Sequence, residues 1–364
     1  MEVVTGIFAA LAPACALIAM FPLETPSFAK ADFSSLERTR QLDGRHSTGK
    51  EPQSDDPDKV ARIPLNCRRP ADDTELEYWL ENMVWHHQFS DTDICEATGL
   101  KVGQILDAKR RFGIRADNRP VCKDRGRLRV LPYPGGRHPR TGFLEGAVNP
   151  QRETKFSVFP PWDPNSYAVV DLPEAIWSNL GLTYLAHEHI DTIWTKQGLV
   201  LERLEWDRHS DGTLDIERRL PNGISFGARV KPTEQAVIME HWIENGTAKR
   251  LTDLRIQICV MTRMMKGFEQ QTNTNKLHHD PYIACRSKDG KRWIITAWQN
   301  CYRTWANEQC PCFHSDPQFP DLAPGRHHTL RGWFSFYEGP SVDEEIQRIE
   351  LTGWRQIGDT DRLK

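Results

Sequence analysis

Four short dipeptides, Asp211-Gly212, Asn222-Gly223, Asn245-Gly246 and Asp289-Gly290, punctuate the second half of the chain between runs of alternating polarity. Such pairs supply the positive φ angles of tight hairpin turns, so they mark successive antiparallel strands. The alternation agrees with them. Leu254, Ile256, Ile258 and Val260 interleave with Arg255, Gln257, Cys259 and Met261, and Val237, Met239, His241 and Ile243 oppose Ile238, Glu240, Trp242 and Glu244. Strands are predicted over 155–159, 166–171, 183–190, 199–208, 213–219, 223–230, 235–244, 253–263, 281–286, 292–299 and 327–338. A short helix over Val342 to Leu351 closes the chain. The predicted fold class is mainly β: a large antiparallel β-sandwich or supersandwich behind a small N-terminal helical, helix-turn-helix-like module.

The domain plan is an apolar leader and polar linker over 1–60, a helical module over 70–116 and a basic linker over 117–130. A β domain over 131–340 and a C-terminal helix and tail over 341–364 follow. Charge limits the function classes. With 47 Lys and Arg against 50 Asp and Glu in 364 residues, the chain is not a globally basic nucleic-acid coat. With 38% hydrophobic residues it is not a multi-span membrane protein, and no membrane-spanning segment is expected. Ile7 to Phe21 is apolar throughout but too short to span a bilayer, and no Lys or Arg precedes it. That missing basic region favours a cytoplasmic protein; a working signal peptide would make it secreted or periplasmic. Nine cysteines are too few and odd in number for a disulfide scaffold, and Cys259 reads as one of several isolated core thiols.

Within the helical module, Asp72, Asp73 and Thr74 are N-cap candidates, and Ser90 with Asp93 has capping-box spacing. Cys95 followed by Gly99 gives the small-residue and turn spacing of a helix-turn-helix, with Lys101 to Arg111 as its second helix. Lys101, Gln104, Lys109, Arg110 and Arg111 are the nucleic-acid candidates. Ten Lys and Arg against three Asp between Leu100 and Val130 make a local charge of +7, the footprint of a phosphate-binding surface, so 90–130 is the expected DNA contact.

Chemistry has several candidate seats. His187 and His189, two apart in a predicted strand, share a sheet face; with Glu338 at a strand end they form the acid–base candidates. Cys310, Cys312 and His314 are the densest group of ligand types and suit zinc, although a proline-stiffened loop with half-buried thiols is the favoured explanation. Trp162, Trp194, Trp298 and Trp305 lie near predicted loops and are candidate platforms for sugar rings, with Asn273 and Asn275 as hydroxyl partners.

The run 213–263, a strand and hairpin followed by Gln235–Glu244 and Leu251–Ile256, resembles the galactose-mutarotase-like β-supersandwich. That resemblance implies a concave sugar-binding face. Trp79–His87, Leu131–Arg140, Trp177–His189, Cys310–Pro317 and Gly332–Gly339 resemble an uncharacterised bacterial family that pairs a helix-turn-helix-like segment with a β domain. This second resemblance implies architecture and no chemistry. The leading expectation is therefore a carbohydrate-directed protein that takes a saccharide, or another polar small molecule, on a sheet face. The alternatives are a DNA-binding regulator with a ligand-sensing β domain, and a structural or adaptor protein without catalysis. Oligomeric state is not legible.

Overall fold

Period-two alternation builds two antiparallel sheets that share one core. The computed structural model describes residues 67–120, 126–139, 152–186, 191–308 and 310–356, all within the unit Val60–Lys364. The predicted leader and linker over 1–60, and His187 and His189, lie outside the described residues.

Numbered in chain order, the seven-stranded sheet runs β1 (Arg129–Pro132), β2 (Lys155–Phe159), β3 (Ala168–Ser178), β9 (Arg255–Met261), β14 (Cys312–Pro317) and β13 (Cys301–Asn307), with β4 (Gly181–Tyr184) also on β3. The eight-stranded sheet runs β10 (Lys276–His279), β11 (Tyr282–Arg286), β12 (Arg292–Trp298), β15 (His327–Glu338), β8 (Val237–Asn245), β7 (Ile224–Pro232), β6 (Leu214–Arg219) and β5 (Asp207–Arg208). Val158, Val170, Ile256, Ile258, Val260 and Phe313 of the first sheet meet Val230, Met239, Ile243, Ile294, Leu330 and Phe334 of the second in the shared core.

Among the described residues, three helices precede the sheets. In α1 (Asp73–Glu81) the Asp72 side chain accepts from Glu75 N–H at 2.9 Å, and the helix continues as a π-helical turn over Asn82–His86. In α2 (Asp91–Thr98) Ser90 and Asp93 form the expected capping box, and the helix ends at Gly99 with φ 68°. There a side chain would be strained. The next helix, α3 (Val102–Phe112), starts where Gln104 Oε1 accepts from Lys101 N–H. These helices bury Trp79, Leu80, Met83, Ile94 and Ile105 against Tyr133, Phe159, Val169, Cys259 and Met261, on the face of the first sheet turned away from the core. The closing helix α4 (Val342–Leu351) covers the corresponding face of the second sheet.

Four strands were not expected: β1, β10, β13 and β14. In β14 every residue is buried, and in β13 every residue is half-buried, so neither shows alternation. Cys310–His314 is therefore not a loop beyond Pro311; a strand starts at Cys312. Of the strand predicted over 199–208 only Asp207–Arg208 pairs; of the one predicted over 183–190, β4 (Gly181–Tyr184) takes in 183–184, 185–186 are not strand, and 187–190 lie outside the described residues.

Candidate functional site: a buried polar row across the first sheet

Residues directly opposite on antiparallel strands project to the same face. Register on the first sheet aligns Lys155 with Asp171, Asp171 with Cys259, Cys259 with His314, and His314 with Trp305. A single row of polar and ionisable side chains thus crosses β2, β3, β9, β14 and β13 on the outward face. Gln257 and Asp316 flank it on β9 and β14, and Glu174 reaches it from β3. All of these except Trp305 are buried.

At one end Lys155 Nζ lies 2.8 Å from Asp171 Oδ1 and donates to the Ala186 carbonyl at 2.9 Å. In the middle, Cys312 Sγ and His314 Nε2 are 3.6 Å apart. Ligand atoms of Cys259, Cys312 and His314 all fall within 4.8 Å of one another, a group that could hold a metal ion. His314 Nδ1 faces Glu174 Oε2 at 3.8 Å and Asp316 Oδ1 at 4.0 Å. Gln257 Nε2 donates to Glu174 Oε2 at 2.8 Å, which holds that carboxylate in place.

At the other end, the Trp305 indole stacks on the His314 ring, centroids 3.9 Å apart and planes 11° from parallel. Trp305 Nε1 and Arg303 Nε donate to Asp316 Oδ2 at 2.7 and 2.8 Å, and Ile258 N–H donates to Oδ1 at 3.0 Å. Burial nonetheless pushes the Asp316 carboxyl up to about 6, with the Arg303 guanidinium pulling the other way. Two polar atoms in this dry environment, Gln257 Oε1 and His314 Nδ1, have no hydrogen-bond partner among the described residues.

The residues proposed from sequence scatter. Cys312 and His314 converge, but their third neighbour is Cys259; Cys310 is buried in the cluster beneath the helices and is not in the ligand group. Glu338 is on the other sheet, exposed and paired with Arg292 at 3.0 Å. The Arg292 guanidinium lies 5.0 Å from the Trp162 ring, so those two candidates share a surface patch away from the row. Trp194 and Trp298 are core residues rather than platforms. Trp194 is buried with its Nε1 on Thr183 Oγ1, and Trp298 lies under Gly332, where an added Cβ would come within 2.5 Å of the indole. Asn273 and Asn275 donate to the Ala306 carbonyl and Gln270 Oε1.

On the helical module, Lys109 pairs with Asp91 (2.9 Å), Arg111 with Asp73 (2.6 Å), and Arg110 with Asp107. Each of these charges is matched by a carboxylate, and Gln104 caps its own helix. Lys155, Asp171, Glu174 and Gln257 were missed as site residues. The alternation already set Gln257 and Cys259 on the face opposite Ile256 and Ile258, which was the available signal.

No family model matches the sequence, and no curated protein matches it. Among solved structures, one described as a kojibiose phosphorylase from human microbiome has TM-score 0.35 and 7% identity, covering 54% of this chain and 27% of its own. A polysaccharide lyase has TM-score 0.32 and 10% identity, covering 61% and 34%. A heparan sulfate lyase from Pedobacter heparinus has TM-score 0.34 and 9% identity, covering 74% and 46%. The chain spans less than half the length of each. All three are carbohydrate-active by name; at these scores the likeness carries no argument about this site.

Proposed function

We propose that the protein is carbohydrate-directed and binds a saccharide on the outward face of the first sheet, entering from the half-buried edge strand β13. The observation that carries this is the pair of unpartnered atoms, Gln257 Oε1 and His314 Nδ1, beside two buried carboxylates. A buried polar atom without a partner costs about 1–3 kcal/mol, so such atoms gather where something else completes them. A polyhydroxylated ligand suits this set: its hydroxyls both donate and accept, whereas a carboxylate only accepts and Gln257 Oε1 only accepts. In this reading the ligand reaches the row past Arg303 and Trp305, which are half-buried on β13.

A panel of neutral and acidic mono- and oligosaccharides, titrated by calorimetry and ligand-observed NMR, tests this. At least one is expected to bind saturably, and Gln257→Leu is expected to weaken it at least tenfold. Trp162→Ala, on the separate surface patch, is expected to leave it unchanged. No saturable binding by any sugar, or binding that depends on Trp162 and not on Gln257, removes the assignment.

A further inference from the structure

We infer that Cys259, Cys312 and His314 form a zinc site on the same polar row; it shares His314 with the saccharide reading, but it rests on the donor geometry and does not require a sugar. Two thiolates and an imidazole are the soft and borderline ligands that select zinc over the hard cations, which take oxygen.

Geometry decides between a site and a coincidence. With Zn–S near 2.3 Å and Zn–N near 2.0–2.1 Å at tetrahedral angles, sulfur and nitrogen sit about 3.6 Å apart. Cys312 Sγ and His314 Nε2 are 3.6 Å apart, and the third ligand atom closes the group within 4.8 Å. The ligands sit on rigid framework. Cys312 and His314 are two apart on β14 and so share a face, and Cys259 is directly opposite His314 on β9. Little backbone movement is needed to close three donors on one ion.

The surroundings suit a metal as well. A metal-bound imidazole is oriented by a carboxylate at its other nitrogen. His314 presents Nε2 to Cys312 and Nδ1 to Glu174 and Asp316, at 3.8 and 4.0 Å. Gln257 in turn holds Glu174. Met261 and Tyr133, in the cluster beneath the helices, give the thiols an apolar neighbourhood. Zinc binding would release one proton from each thiol to solvent and leave the imidazole neutral at Nε2. Three protein ligands among the described residues is the number that leaves a coordination position for water or substrate, as in catalytic rather than structural zinc sites.

The test uses the full chain, purified without chelator under reducing and under non-reducing conditions. Elemental analysis is expected to give one zinc per chain. After chelation, cobalt(II) is expected to restore an absorption spectrum with thiolate charge-transfer bands of a tetrahedral site. Cys259→Ser and Cys312→Ser are each expected to lose those bands, while Cys310→Ser, at the neighbouring buried thiol outside the group, keeps them. Glu174→Gln is expected to weaken zinc by about 10–100-fold with the bands retained. A folded wild type that carries no zinc and gives no cobalt spectrum overturns the inference without recourse to any variant. So does an unchanged spectrum in Cys312→Ser, loss of the bands in a folded Cys310→Ser, or recovery of Cys259 and Cys312 as a disulfide under non-reducing conditions. Metal content is read without any sugar present, so failure here and failure of saccharide binding are separate results.

Discussion

Both sheets carry a helical cover on the face turned away from the shared core, and the two covered faces are chemically opposite. On the second sheet, Tyr282, Trp293, Ile295, Ala297 and Trp333 meet Val342, Ile346 and Ile349 of α4. An apolar stripe on the helix meets an apolar sheet face, which explains that burial as stability alone. On the first sheet, the helices seal Val169 and Met261 at one end of the face, but Lys155, Asp171, Glu174, Gln257, His314 and Asp316 are buried beside them. Burying that many ionisable groups is unfavourable unless each is paired or serves a ligand. The contrast teaches which surface to suspect: of two faces equally hidden from water, the one that is costly to hide is the one with chemistry.

The largest effect that separates the two faces is expected at Lys155. Lys155→Met takes the ammonium away from the fully buried Asp171 and is expected to cost about 3–5 kcal/mol in denaturant unfolding. Adding Asp171→Leu should recover much of that loss; if the double variant is as unstable as the single one, the pair is not the cause. On the apolar face, Ile346→Ala is expected to cost about 3 kcal/mol through lost burial and a cavity, with no effect on metal or saccharide binding. A change in either binding would erase the division of labour between the faces.

Acid sharpens the comparison next. His241 is buried in the second sheet, and burial pushes its imidazole down to about 3, with a backbone contact to Gly227 opposing weakly. His87, packed between Tyr133 and Tyr167 over the first sheet, is also held well below the ordinary value by burial. In each case the unfolded chain takes up the proton near 6.5 and the folded chain does not. Stability is therefore complete above about pH 6.5 and falls as pH drops toward the folded pKa, at about 1.4 kcal/mol per pH unit per histidine. His241→Phe is expected to reduce that slope by about one proton between pH 6.5 and 5, leaving the contribution of His87; equal slopes for variant and wild type would refute the assignment.

The smallest effects are expected on the exposed helical surface. Removing each ion pair of Lys109, Arg110 or Arg111 by alanine is expected to change stability by about 0.2–1 kcal/mol. Because these charges face carboxylates, retention on a DNA column is expected to be weak and unaltered in the triple variant. Salt-dependent retention that the triple substitution abolishes would return the helical module to a nucleic-acid role.

Legibility followed physical signal strength. Strands with one buried and one half-exposed face, such as β7 and β8, stand out because alternation is visible only when the two faces differ. The caps at Asp72 and Ser90 and the turn at Gly99 are local hydrogen bonds and a local dihedral, so residue type reveals them. Strand β14, buried on both sides, has no such contrast, and it carries two of the three residues of the candidate metal group. Pro311 made that segment look like a loop, and adjacency in sequence made Cys310 a ligand candidate, whereas β-pairing sets Cys259, some fifty residues earlier, beside His314.

By itself, then, the sequence determined the class of fold, the caps of the helices, and which residues of β9 share a face, because these depend on period and local chemistry. The tertiary structure alone decided that Lys155, Asp171, Cys259, His314 and Trp305 form one row, because the register between strands distant in sequence is set by the packing of the whole sheet. It also decided that Trp298 fills space and that Cys312 has a partner, since burial and long-range contact are properties of the assembled core.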